Sequence, residues 1–175
     1  MAKNPVTQEV AARLKHVAEI LSEVRHAAIA TVHADGSPHI SPVFAAIDTS
    51  LRVIWASSPK SLHSQNIART QQVFIVLFDS IERGGGLFIR AAARQLQKDE
   101  LPAGLQVFNT KRQMLQRDPL PLDHFTASAP QRLYCAEPQK LWVNVAERDA
   151  AGHILQDTRY EIEPNDLLIN TLNTP

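Results

Sequence analysis

The sequence predicts a mainly β fold: about seven strands, mostly antiparallel, in a closed or partly closed barrel with helices on its rim. Three observations carry this. About seven short apolar or alternating runs are separated by turn signals. An Asp-Gly pair, Asp35-Gly36, stands between two of them, the chemistry a tight hairpin turn requires. Only three stretches carry the apolar spacing or terminal chemistry of helices.

The first helix runs from Thr7 to about Val24. Val6, Val10, Leu14, Val17, Leu21 and Val24 recur every three or four residues as one apolar stripe, with Thr7 as N-cap. Ala27–Val32 is the first strand, Ala34–Ser37 its turn, and Pro38–Ile47 the returning strand. Proline has no amide hydrogen to give a neighbour, so Pro42 belongs at an edge or bulge. Asp48-Thr49-Ser50 is a second turn, and Leu51–Ser57 completes a three-stranded meander. A polar turn, Ser57–Ser61, leads into a short helix over Ser61–Thr70.

Val73–Phe78 is apolar throughout, which predicts a strand buried on both faces. Gly84-Gly85-Gly86 is a flexible loop, and Leu87–Leu96 is the next strand. A helix follows over Pro102–Arg117, with Asp99 and Glu100 before it and Lys111, Arg112 and Arg117 toward its end, the polarity a helix dipole favours. Asp118–Pro130 holds Pro119, Pro121 and Pro130 and is an irregular connection. Gln131–Ala136, Leu141–Ala146 and Arg159–Ile162 are the remaining strands, with a turn at Asp149–Gly152 and a loosely held tail over Asn165–Pro175. The length suits one domain over residues 1–175: a helix at 1–25, a barrel core at 26–98, a helix and connection at 99–130, strands at 131–163 and a tail at 164–175.

Hydrophobic residues make up 44% of the 175 residues, which excludes global disorder. No apolar run approaches the ~18 residues of a membrane-spanning helix, so no membrane is expected as a partner. The N-terminus carries no apolar signal core, and the single Cys135 makes no intrachain disulfide. A cytoplasmic protein is the expectation. Lys and Arg total 18, as do Asp and Glu, and the zero net charge argues against a nucleic-acid binder. The charge is uneven. Thr49–Lys98 holds seven bases and two acids, a local surplus of five positive charges that suits a small anion or reflects solvated faces.

Most familiar chemistries are missing. The seven histidines make no His-Glu-x-x-His pattern, and one cysteine makes no cysteine-based zinc site. His33 and His39 face each other across the hairpin as surface imidazoles. No Gly-x-Ser-x-Gly nucleophile motif occurs, Gly84-Gly85-Gly86 is not a P-loop, and Cys135 lies in an apolar strand as a buried thiol. The informative stretch is Trp55–Ile67, where a strand ends, a hydroxyl-rich turn follows and a helix begins. Amides at a helix start point outward and favour negative charge. Ser57, Ser58 and Ser61 add hydroxyls; Lys60 and, in a pH-dependent way, His63 add positive charge. That is either a phosphate site or an ordinary capped helix.

Ala30–Val43, Trp55-Ala56-Ser57, Ser61-Leu62-His63 with Asn66-Ile67, and Gly86–Arg94 together resemble the flavin-binding split-barrel proteins related to pyridoxamine 5′-phosphate oxidase. The likeness covers Ala27–Arg94, and Leu133–Ile162 more loosely. It implies a six-stranded split barrel, a homodimer with two shared clefts, and FMN bound there. Ser57 and Ser61 would contact the flavin phosphate, with His63 where the family often has a lysine. Ser41, Pro42 and Val43 would approach the flavin, and Asn66 would support the helix behind the phosphate. Trp142 and Asn144 lie near the place of a partner-facing aromatic residue, and Arg159 near a family arginine that reaches the cofactor.

The departures are specific. Ser41 and Ala46 stand where the oxidases carry an arginine and a lysine, and Ser61-Leu62-His63 replaces Ser-Arg-Lys. Ile154–Arg159 lacks the first arginine and the histidine of the oxidases' substrate-holding run. The expectation is an FMN-binding oxidoreductase with a small-molecule substrate other than pyridoxamine phosphate. The alternatives are a barrel that has lost its cofactor, and a relative that binds haem or a deazaflavin.

Overall fold

The computed structural model describes residues 5–78, 85–126, 128–164, 166 and 167. The helices are α1 (Pro5–Glu23), α2 (Leu62–Thr70) and α3 (Leu101–Met114), with a short 3-10 turn at Leu122–Phe125. The strands are β1 (His26–Val32), β2 (Pro38–Ile47), β3 (Val53–Ser57), β4 (Gln72–Leu77), β5 (Gly86–Gln95), β6 (Arg132–Arg148) and β7 (Ile154–Ile162). Their order in the sheet is β3-β2-β1-β4-β5-β6-β7, and β3 also pairs with β6. That extra pairing closes the first six strands into a ring, the arrangement of a split barrel, with β7 attached to β6.

Contacts group the chain into two compact units. One holds Arg25–Ile75 and Arg90–Gln139; the other holds the described parts of 1–24, 76–89 and 140–175. In the first unit, β1 and β2 form the expected hairpin, with Val32 opposite Pro38. Gly36 has φ +86°, a conformation that favours glycine, and Asp35 caps the turn by accepting the Ser37 amide at 2.9 Å. Pro42 pairs with Ala28 on β1, while β3 meets β2 only over Ala45–Ile47. The β3 side of β2 is therefore unpaired at Pro42, so the proline sits at a local edge as expected. The core of this unit packs Ala46, Ile54, Leu96, Leu105, Phe108 and Leu133 around α3.

Several expectations need correction. The first helix starts at Pro5, so Thr7 lies inside it and is not its N-cap. β3 starts at Val53 because Leu51, at φ +61°, closes the turn whose Asp48 carboxylate accepts the Ser50 and Arg52 amides. β4 alternates between buried and half-buried or exposed residues, so only one face is fully covered. α3 ends at Met114, and Gln116 at φ +56° carries the chain out of the helix. Gln131–Ala136 and Leu141–Ala146 are one strand of 17 residues, because Pro138 does not break it. β7 starts at Ile154, and its register with β6 runs through Asn144–Arg159 and Trp142–Glu161. The expected glycine loop begins at Gly84, outside the described residues, as does most of the expected tail. No described helix is long and apolar enough to cross a membrane.

Candidate functional site

β3 delivers Ser57 at its last position, where the side chain is buried beneath the start of α2. Ser61 is the N-cap residue of α2 by backbone conformation, yet its hydroxyl makes no cap hydrogen bond. The first-turn amides of Leu62, His63 and Ser64 thus lack the side-chain acceptor that Ser usually supplies. The Ser61 hydroxyl points instead into a polar cluster, donating to the Ser58 carbonyl and lying 3.1 Å from Ser57 Oγ.

His63 is the hub. The residue is 7% exposed. Nε2 lies 2.7 Å from Ser57 Oγ and 3.2 Å from Ser61 Oγ, while Nδ1 lies 3.1 Å from Ser41 Oγ. Ser41 reaches on to His39 Nε2 at 3.0 Å. The His39 ring meets His33 edge-on, with centroids 5.0 Å apart, which is the pairing expected across the hairpin. Burial, and secondarily the charge of His39, push the His63 imidazole below its ordinary value. Both favour the neutral ring in this state, whereas its sequence position suggested partial positive charge.

The other expected site residues divide. Ser58 accepts the Lys60 amide at 3.2 Å and shapes the turn, leaving Lys60 exposed at its tip. Asn66 is buried behind α2 and donates to Thr31 Oγ1 at 3.0 Å, tying the helix to β1. Pro42 is exposed on β2 and Val43 is buried. Ala46 belongs to the apolar core, so a cation at that position would have no polar surroundings. Trp142 is half-buried on β6, and Arg159 on β7 donates to Asn144 Oδ1 at 3.1 Å with its guanidinium over the Phe88 ring. Both belong to the second unit, whereas every residue of the serine–histidine cluster belongs to the first.

Two of the seven bases in the positive stretch are committed to acids. Arg52 is paired with Asp48 at 2.7 Å. Arg94 forms a bidentate pair with Glu100 at 2.6 and 2.7 Å and reaches Glu137 at 3.3 Å. Neither is free to neutralise an anion. The elements that build the cluster, β1, β2, β3 and α2, contain no Asp or Glu, so no fixed negative charge opposes one. Among the described residues no group of His, Cys, Asp and Glu is arranged to hold a metal.

A cavity of 190 Å³ opens beside Ser64, Ile67 and Ala68 of α2 and Gln71 just after it. It is smaller than the ~300 Å³ at which ligand pockets usually begin, so it is not a flavin ring site by itself. A roomier cavity of 780 Å³ lies in the second unit, lined by Arg13, His16, Asn144, Glu147, Arg148 and Tyr160. Sequence reasoning singled out neither this cavity nor the contact of His39 with Ser41. His39 carried one usable signal: on a strand, residues 39 and 41 share a face.

The hydroxyl cluster, the uncapped helix start and the absence of acids fit a phosphate group. Ser57, Ser61 and His63 would hold it. Comparison with known proteins bears on the scaffold. No curated protein matches the chain in sequence. Solved structures do match. The haem storage protein HutZ from Vibrio cholerae has 24% identity and a TM-score of 0.58, over 74% of this chain and 92% of its own. A pyridoxamine 5′-phosphate oxidase-related, FMN-binding protein from Nostoc punctiforme has 11% identity and a TM-score of 0.54, over 93% and 99%. The protein Atu2129 of unknown function, from Agrobacterium tumefaciens, has 18% identity and a TM-score of 0.59; 86% of this chain matches 62% of it, less than two thirds of its length. At these identities the likeness concerns the fold. The family model described as pyridoxamine 5′-phosphate oxidase matches residues 14–144, which include the whole serine–histidine cluster and the ring of six strands up to Asn144, and the chain belongs to that family.

Proposed function

We propose that this protein binds FMN through its phosphate and acts as a flavin-dependent oxidoreductase on a small molecule, as a cytoplasmic homodimer. The observation that carries the reading is the joining of Ser41, Ser57, Ser61 and His63 into one hydrogen-bonded cluster at the uncapped start of α2. In it, Ser57 and Ser61 donate hydroxyl hydrogens to phosphate oxygens, and the α2 amides add a partial positive field. Asn66 keeps the helix in place through Thr31. The flavin supplies the electron transfer when bound. Ser41, Pro42 and Val43 offer the β2 edge to the ring system, and Trp142 and Arg159 are proposed to face cofactor across the dimer. Small-molecule oxidation of pyridoxamine phosphate itself is not proposed, because the charged residues that would hold that substrate are absent.

The test is a titration of the purified protein with FMN between pH 6 and 8, read by flavin absorbance and fluorescence quenching. Saturable binding with one flavin per chain supports the reading, and no bound flavin at any of these pH values refutes it. Light scattering showing a monomer would refute the dimer. One observation favours a second reading, a barrel that has kept the fold without a cofactor: Arg52 and Arg94 are both committed to acids. Equal thermal midpoints with and without FMN would establish that reading, since a ligand of the native state raises its stability. A Soret band on adding haem, or bound deazaflavin absorbance, would mark those alternatives.

A further inference from the structure

We infer that the site takes up a phosphate monoester together with a proton, with His39 and His63 as two seats for one positive charge, joined through the hydroxyl of Ser41. This rests on the phosphate-site reading above and specifies how that site is regulated.

The argument starts from what one hydroxyl can do. Ser41 Oγ lies 3.1 Å from His63 Nδ1 and 3.0 Å from His39 Nε2. It has one hydrogen to give and two lone pairs to accept with. When His63 is neutral, Ser41 donates to Nδ1, Nε2–H donates toward Ser57, and His39 Nε2 is free to carry a hydrogen toward Ser41. When His63 is charged, Nδ1–H donates to Ser41, whose hydrogen then turns toward a bare His39 Nε2. Rotation of one hydroxyl thus moves the favoured site of charge from one ring to the other. If both rings carried hydrogens on the facing nitrogens, the Ser41 hydrogen would lose both imidazole acceptors and the two cations would repel.

The surroundings give this pair no fixed counter-charge. The charged and titratable groups on the elements packed around His63 are His26 on β1, His39 on β2, Arg69 on α2, Lys60 in the preceding turn and, opposite Ser57, Arg132 on β6. β3 has none. His33 stands beyond His39, and Arg69 is bonded to the Val32 carbonyl. The hairpin's Asp35 is held by Ser37. With no carboxylate on β1, β2, β3 or α2, an incoming phosphate is the group that makes charge on His63 favourable. Burial and the charge of His39 favour the neutral form of His63 beforehand. A phosphate monoester is a dianion above its second pKa of about 6, so binding at higher pH draws the proton from solvent.

The test is calorimetric titration with FMN at pH 7.5 in Tris and in HEPES, whose different ionisation heats count protons. We expect close to one proton taken up per FMN, and affinity falling by up to about tenfold from pH 7.5 to 8.5. His63→Asn should flatten that profile to within about twofold. His39→Gln tests the second seat. It should tighten binding at pH 6 by about twofold or more and leave pH 8 within about twofold. A merely structural His39 would shift both pH values alike, and weaker binding of the His39→Gln protein at pH 6 overturns the shared-charge arrangement. FMN bound with no proton uptake overturns the inference while the FMN reading stands. Inorganic phosphate is the second probe: if it binds with uptake and FMN does not bind, the proton-coupled anion site stands and the FMN reading falls. If neither binds, both fall.

Discussion

Ser57→Ala is the sharpest single perturbation of the proposed site. It removes the 2.7 Å contact with His63 Nε2 and the 3.1 Å contact with Ser61 Oγ. In the free protein, Ser61 Oγ remains 3.2 Å from Nε2 and can take over as its partner. The stability loss therefore belongs at the modest end for a buried hydrogen bond, about 1 kcal/mol. Binding responds differently. A hydroxyl donating to a charged phosphate contributes about 1.5–3 kcal/mol, and nothing on β3 replaces it. That corresponds to roughly a ten- to 150-fold weaker Kd for FMN. Fluorescence quenching gives the Kd, and urea unfolding gives the stability of the same sample. The reasoning predicts a binding loss larger than the stability loss. A Kd within twofold of the unsubstituted protein would remove Ser57 from the phosphate site, whatever happened to stability.

Three further predictions concern the scaffold of the same unit. Arg94 holds the Glu100 carboxyl down at about 2, so the pair's stabilisation is full above the ordinary carboxylate value and disappears as pH falls through about 2. Both side chains are about a third exposed and screened by solvent, so Glu100→Gln should cost about 0.5–1 kcal/mol at pH 7 by thermal unfolding, with no difference near pH 2. Burial pushes the Cys135 thiol up to about 11, so a thiol-reactive dye at pH 7.5 should label the protein only after unfolding in urea; rapid native labelling would contradict its burial. A Cβ at Gly104 would stand 2.3 Å from Leu96 Cδ1, so Gly104→Ala should destabilise by about 1 kcal/mol once its helix gain is offset. In a Leu96→Ala background that obstacle is gone, and the same substitution should stabilise by about 1 kcal/mol; failure of the sign to reverse in urea melts would refute the packing account.

Local chemistry made much of this fold legible. The β1–β2 hairpin could be read because Asp35-Gly36 has few alternatives to a tight turn, and Pro42 announced a local edge. Apolar spacing and terminal chemistry together located the three helices. The errors fell where tertiary structure overrides local signals. Gln131–Ala136 and Leu141–Ala146 read as two strands, yet β6 runs through Pro138 without a break. Leu51 reads as a strand residue, but Asp48 binds the amides around it and forces a turn. Ring closure through β3 and β6 joins residues some eighty positions apart, and no local pattern encodes it. In the site, the serines at the start of α2 were visible because they are neighbours in sequence. The link from Ser41 to His63 spans 22 positions and depends on how α2 lies over β2, which spacing alone does not express.

The absence of carboxylates on β1, β2, β3 and α2 has a consequence for competition in a crowded solution of phosphates. Nucleoside triphosphates circulate largely as magnesium chelates, and magnesium bound to protein relies on carboxylates or retained water. These elements offer such a chelate no anionic ligand, so its metal would keep its water and phosphate ligands without a carboxylate from the protein. A monoester that travels without magnesium forgoes no contact there. On the proposed reading, a set of residues selected by what it lacks would discriminate between classes of phosphate before any contact with the rest of the ligand is made.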